Sequence, residues 1–199
     1  VPSTNARREW VTVLASGRTE SDNRLSLLEE EVMARIPEIV VEQASGEIQE
    51  LLKKHVAEGH RITNVKRIIL NHLPSFKSLE LGQYDLDDDL QRLIGKLDGD
   101  IFEYAISEQN DCLVCTTYFS RLLREEHGID PKDFQFTPRQ ELLIEYARQL
   151  AKNPKEISDE LFGRMKDEFD DETIVAITTM GVMMIAMNYF NEALQILPE

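Results

Sequence analysis

The chain has 199 residues, of which 42% are hydrophobic, enough for one substantial core and too many for a disordered chain. Only 9 glycines and 7 prolines punctuate it, which favours long elements and excludes collagen-like or low-complexity architecture. Lys and Arg number 22 against 37 Asp and Glu, and a net charge of −15 with no basic block excludes nucleic acid and anionic membrane surfaces as partners.

Two cysteines cannot build a disulfide framework, and Val1 to Arg18, with Arg7, Arg8 and Glu9, has no long apolar core. The expected compartment is therefore a reducing cytoplasm. The longest mostly apolar run, Ile174 to Met187, is too short to span a bilayer and reads as a buried helix.

Apolar residues recur at helical spacing along almost the whole chain. From Asp22, Leu25, Leu28, Val32, Ile36, Ile39 and Val40 follow steps of three and four, with a kink or break expected at Pro37. Gly46 to Ala57 carries Ile48, Leu51, Leu52 and Val56 and ends before Gly59. Thr63 caps a helix expected to reach His72 and stop before Pro74, and Pro74 to Gly82 reads as a short helix or turn. Asp85 to Ser107 is long and periodic, and Gly95 and Gly99 allow it to be two helices. The next helix, capped by Asn110 or Asp111, runs to His127 and stops at Gly128. Thr137-Pro138-Arg139-Gln140 is the clearest start signal: a capping Thr, Pro in the first turn and Gln three residues after the cap. A shorter helix spans Ser158 to Glu168. Asp170 or Asp171 caps the last, which runs to about Ile196. The expected fold class is all-α, with an N-terminal helical arm over residues 1–59 and a helical core over 60–199.

Cys112-Leu113-Val114-Cys115 is the one motif that carries chemistry. Spacing of three puts both sulfurs on one helix face, and the helix start lowers a thiol pKa. A second thiol one turn away can resolve a sulfenic acid as a disulfide. The plainer alternative is two buried cysteines acting as small hydrophobes. No zinc or other metal site is expected: His127 is the nearest imidazole after the pair, and His55 and His60, five apart, do not share a helix face. Asp85 to Asp89 lacks the glycine and the terminal glutamate of a calcium loop and reads as a solvated helix start. Met180, Met183, Met184 and Met187 are core filling. No cofactor is implied.

Four stretches together resemble the alkylhydroperoxidase D (AhpD-like) and carboxymuconolactone decarboxylase family over roughly residues 60–196: His72-Leu73-Pro74, Asp100 to Cys115, Phe136 to Ala151, and Asp170 to Leu194. The resemblance implies an all-helical AhpD-like domain, assembly as a trimer or hexamer, a peroxide substrate and a thiol reductant protein as partner. It implies Cys115 as the attacking thiol and Cys112 as the resolving one. The family's pattern places Glu with eleven residues between it and the first cysteine, where Asp100 stands, and His with three residues between it and the second, where Phe119 stands. Glu103, Tyr104 and Ser107 share the helix face of Asp100 and are candidates to supply the missing proton carrier, as is Glu108, four residues before Cys112. Two functions follow: a thiol-dependent peroxide or disulfide reductase, or a redox-responsive or structural oligomer that kept the fold without the turnover.

Overall fold

The computed structural model describes residues 34–199, which are helical without a strand among them. The helix expected over 22–33 lies outside the described residues. Met33–Glu199 forms one compact unit, and residues 34–59, grouped with the arm by sequence, belong to it. The pattern expected to run helically to Val40 does not: residues 34–40 carry no helix, and a 3-10 turn follows at Val41–Gln43. Pro37 removes an amide and restricts Ile36, and the segment spends its backbone bonds elsewhere. Arg35 N donates to Leu194 O at 2.8 Å and Ile39 N to Arg67 O at 3.1 Å.

Helix α1 (Gly46–Ala57) starts at Ser45, whose side chain accepts from Ile48 N, and buries Leu52 against Ile69, Leu70 and Phe76. Helix α2 (Asn64–Ile69) is capped by Thr63 as expected but ends three residues before His72. Pro74 lies inside the start of the next helix, α3 (Leu73–Phe76), where a missing amide is harmless. A π-helical turn, Lys77–Leu81, joins α3 to α4 (Gly82–Ile94) and buries Glu80. Gly95, at φ 93°, breaks the long periodic stretch into α4 and α5 (Lys96–Gln109), while Gly99 stays inside α5.

Helix α5 is the axis of the domain. Every residue from Asp98 to Ser107 is buried, and α4, α6 (Leu113–His127), α7 (Pro138–Lys152) and α9 (Asp171–Ala193) pack around it. The capping box at Thr137 forms as the sequence indicates. Gln140 Oε1 accepts from Thr137 N at 3.0 Å, and Gln140 Nε2 reaches across to Asp98 Oδ1 at 2.9 Å. Arg139 Nη1 holds the other Asp98 oxygen at 2.7 Å, so the start of α7 is tied to the buried acid of α5. After a 3-10 turn at Pro154–Glu156, α8 (Asp159–Glu168) is capped by Ser158, and Asp170 caps α9.

Four helices end alike. In α1, α5 and α9 the amide two residues beyond the cap donates five residues back, His60 to His55, Cys112 to Ser107 and Ile196 to Asn191, and in α6 the amide one residue beyond the cap donates six residues back, Ile129 to Leu123. The left-handed residue this requires is Gly59, Asp111, Gly128 and Gln195 respectively. The reversal at Gly59 also stacks His60 toward His55, with ring centroids 4.7 Å apart, although their spacing puts them on different faces of a continuous helix.

Helix α9 is 23 residues long and apolar enough, by length and composition, to cross a membrane. In the fold it lies against α4, α5 and α7 and buries Ile174, Ile177, Met180, Gly181, Met184 and Met187. Gly181 permits that approach. A Cβ there would lie 2.5 Å from Leu150 Cδ2 and 3.1 Å from both Ile106 Cδ1 and Phe102 Cζ. Gly181→Ala is expected to destabilise the domain by about 1–3 kcal/mol through overpacking. Urea denaturation monitored by circular dichroism checks this, and an unchanged midpoint would show that Leu150 yields freely.

Candidate functional site

The two cysteines are set by the junction between α5 and α6. Asn110 and Asp111 were expected as caps of α6, but neither side chain caps it. Asp111, at φ 55°, is used to terminate α5, and Cys112 itself occupies the N-cap position of α6. Because the Cys112 amide is bound to Ser107 O at 3.1 Å, the end of one helix fixes the start of the next. Cys115 then falls in the first turn, where backbone N–H groups are unpaired and the helix dipole favours negative charge. Both thiols are free and buried, with the sulfurs 3.3 Å apart.

A third residue completes the pair. Asn191, on α9, donates from Nδ2 to Cys115 Sγ at 3.2 Å and lies 4.0 Å from Cys112 Sγ. The pair therefore titrates as a unit. The hydrogen bond from the Cys115 thiol pulls Cys112 down to about 7, aided by the Cys115 amide and Asn191 and opposed by burial. Cys115 is pushed up, first by giving its proton to that bond and then by burial and the charges of Cys112 and Glu103. When the pair loses one proton, the charge is favoured on Cys112, with the Cys115 thiol donating to it.

The sulfurs differ in access. Cys112 is sealed, whereas Cys115 lines a cavity of about 350 Å³. Its walls come from α2, the π turn, α4, α5, α6 and α9, and near Cys115 they include Phe119, Met184, Met187 and Asn191.

The carboxylates of α5 separate into distinct roles. Glu103 lines the cavity and is 2% exposed, and its Oε1 has no hydrogen-bond partner. Burial, reinforced by Asp87 and Asp100, pushes its carboxyl well above the usual range, so Glu103 is a neutral acid beside Cys115. Asp100 also lines the cavity, but its Oδ2 lies 2.6 Å from His127 Nε2. Burial raises the Asp100 carboxyl and the imidazole opposes that rise. Tyr104 is not on the cavity wall. Its hydroxyl turns to Glu108 Oε1 at 3.5 Å, the residue one turn further along α5. Ser107 donates to Glu103 O within its own helix at 2.9 Å, and Glu108 is drawn outward to Arg148 at 2.8 Å. Of the candidates named from sequence, Cys115, Asp100 and Glu103 meet at the cavity, Cys112 stands behind Cys115, and Tyr104 is elsewhere.

Sequence reasoning missed Asn191, His127 and Asp87. Asn188 and Asn191 are two fully buried amides on one face of an otherwise apolar helix, a signal that was readable. His127 reaches Asp100 from 27 residues away, and nothing local announces it. Among the described residues no cluster of His, Cys, Asp and Glu has the geometry to hold a metal ion.

No family model matches the sequence, and no curated protein matches it. A solved structure does share the fold: a protein from Ralstonia eutropha JMP134 described as an alkylhydroperoxidase AhpD core and an uncharacterized peroxidase-related protein. It superposes with a TM-score of 0.66 over 84% of this chain and 93% of that one, at 18% identity. The fold is the AhpD-like fold. The expected all-helical architecture is thus observed, and the AhpD-like arrangement carries the cysteine pair at its α5–α6 junction. At position 119, where the resemblance leads one to look for His, Phe119 is 6% exposed and forms cavity wall.

The raised Glu103 carboxyl has a measurable consequence. Its unfolded form loses a proton near pH 4.5 while the folded form retains it, so this group's contribution to stability falls as pH rises above that value. Glu103→Gln removes the contribution. Its thermal midpoint relative to wild type is expected to climb between pH 4 and pH 7, and a constant difference across that range would show that Glu103 ionises normally.

Proposed function

We propose that the chain is a thiol-dependent peroxide reductase working in a reducing cytoplasm, with Cys115 as the attacking sulfur and Cys112 as the resolving one. The observation that carries this reading is a dithiol 3.3 Å apart whose outer sulfur opens on a cavity beside a buried, unpartnered carboxyl group. The peroxidase-related description of the structural neighbour is in keeping with it.

The resting site holds a Cys112 thiolate, a Cys115 thiol and a neutral Glu103. As Cys115 Sγ attacks the terminal peroxide oxygen, its proton passes to Cys112 Sγ and the O–O bond breaks. The leaving alkoxide takes the Glu103 proton, which gives the alcohol, Cys115 sulfenic acid and a Glu103 carboxylate. Cys112 Sγ then attacks Cys115 Sγ, and the departing hydroxide takes the Cys112 proton and leaves as water. Peroxide has gained two electrons, and the dithiol has become a disulfide. A thiol reductant protein with a dithiol of its own returns two electrons and the two protons that restore Cys115 and Glu103. The base that an imidazole at position 119 would supply is replaced by the Cys112 sulfur, and the acid is Glu103. Asn191 holds the sulfurs in line and stabilises the charge they share.

Stopped-flow peroxide consumption with a dithiol reductant tests the reading. Cys115→Ser is expected to lose on the order of a hundredfold or more in rate, and Cys112→Ser to accumulate sulfenic acid at Cys115. Undiminished turnover in Cys115→Ser overturns it.

A specific surface supports assembly as well. Val175, Thr179, Val182, Ala186, Tyr189 and Ala193 form an exposed stripe along α9 at alternating steps of four and three. Val175, Val182 and Tyr189 are 63%, 52% and 60% exposed, and the stripe carries no charge on a chain of net −15. An uncharged helical seam is where two such acidic chains approach with least repulsion, and it favours a homo-oligomer, trimer or hexamer included. Val182→Glu is expected to lower the mass seen by sedimentation velocity, and an unaltered mass removes α9 from the interface.

A further inference from the structure

The cavity beside Cys115 holds acidic groups that the protein does not pair. Glu80 has Lys66 at 3.9 Å, Glu126 has Lys96, and Asp100 has His127. Among the described residues Glu103 and Asp87 have no cation. Asp87 Oδ2 accepts from Gln91 Nε2 at 2.9 Å, but its buried Oδ1 has no partner, and neither has Glu103 Oε1. These two orphan oxygens come from different helices, α4 and α5, and both residues line the one cavity. Glu103 is 98% buried by its 2% exposure, so bulk water does not satisfy it. A buried carboxyl without a donor is a standing cost that a bound donor relieves. Next to them, Met184, Met187, Phe119 and Tyr118 offer an apolar and aromatic wall.

We infer that the cavity recognises a small organic cation, a disulfide or peroxide bearing a protonated amine a few bonds from its reactive atoms. The ammonium group donates to Asp87 and Glu103, while the carbon skeleton lies on the methionine and aromatic wall and the reactive atom faces Cys115. Tyr118 and Tyr84, both on the cavity wall, add aromatic faces that attract cations. Burial raises both carboxyls, with Asp88 adding to the rise at Asp87, and Asp87 and Asp100 adding to it at Glu103. One cation of the cavity argues for the opposite preference: Arg121 lines it with no ion pair among the described residues. It comes from α6, whereas the orphan oxygens come from α4 and α5.

This inference rests on the redox reading of the cysteine pair, and the experiment separates the two. The reduced protein is mixed with three symmetrical disulfides: cystamine, which is dicationic, 2-hydroxyethyl disulfide, which is neutral, and dithiodiglycolate, which is dianionic. In each case Cys115 Sγ attacks one probe sulfur and releases a thiol, then Cys112 Sγ attacks Cys115 Sγ and releases the second. The probe is reduced by two electrons and the pair oxidised to its disulfide. Loss of protein thiols is followed, and each rate is divided by that probe's rate with 1-thioglycerol, a neutral thiol that matches none of the probes. Cystamine is expected to exceed the neutral probe by about tenfold or more, with dithiodiglycolate slowest. Asp87→Asn is expected to bring the ratio of the cystamine rate to the neutral-probe rate toward one. Equal normalised rates in the wild type overturn the inference and leave the redox reading standing. Dithiodiglycolate as the fastest probe overturns it in favour of Arg121. No thiol loss with any probe overturns the redox reading and this inference with it.

Discussion

A helix buried on every side is an unusual place for acids, and α5 holds Asp98, Asp100 and Glu103 within its buried stretch. An isolated buried carboxylate is costly enough that each must find a cation, find donors or keep its proton. The three take different courses. Asp98 is held by Arg139 and Gln140, which ties α7 to α5 and makes the acid structural. Asp100 draws in His127 from the end of α6. Glu103 finds neither and stays neutral against a cavity. The fold around α5 is thus organised partly by what satisfies its acids, and the one left unsatisfied is the one beside the sulfur.

The same helix decides where the sulfurs go. A chain leaving a buried helix must turn at once or bury unpaired carbonyls, and Asp111 accepts the left-handed conformation that turn requires. The tight reversal delivers Cys112 to the N-cap of α6 and Cys115 to its first turn with no loop between the helices. Asn191 closes the arrangement from α9, so three helices converge on two sulfur atoms. Rigid elements hold the pair close enough for proton sharing while both cysteines remain free of a disulfide. The electrostatics favours charge on the sealed Cys112, and access favours attack by Cys115. Transfer of one proton across the short gap between them reconciles the two.

Much of this was legible in the sequence because it is written in local signals. Thr137 with Gln140, Ser158, Thr63 and Asp170 each declare a helix start within four residues, and Gly59, Gly95 and Gly128 declare breaks. The Cys-x-x-Cys spacing declares a shared face. The failures occur where tertiary context overrides local preference. Residues 34–40 have helical periodicity, yet Pro37 and backbone bonds to Arg67 and Leu194 hold them extended. Asn110 and Asp111 read as caps, but the end of α5 claims Asp111 first. Tyr104 shares a helix face with Asp100 on a wheel, yet a face that is buried throughout does not say which neighbour each residue meets. The Asp100–His127 and Asn191–sulfur contacts join residues far apart in the chain, and only the assembled bundle brings them together.

Phe119 ties these strands together. An imidazole at that position would bring a titratable group and a hydrogen-bonding partner to the cavity wall, whereas a phenyl ring brings neither and excludes water. A drier wall raises the cost of charge on Cys115 and Glu103 alike, which keeps one as a thiol and the other as an acid. It also strengthens the hydrogen bond from Asn191 and the attraction between the orphan carboxyl groups and any cation that enters. Replacing a base by an aromatic ring therefore changes the nature of the site. In the mechanism we propose, proton movement is confined to the two sulfurs and one buried acid, and in the recognition we infer, the charge of the incoming molecule is what the cavity reads.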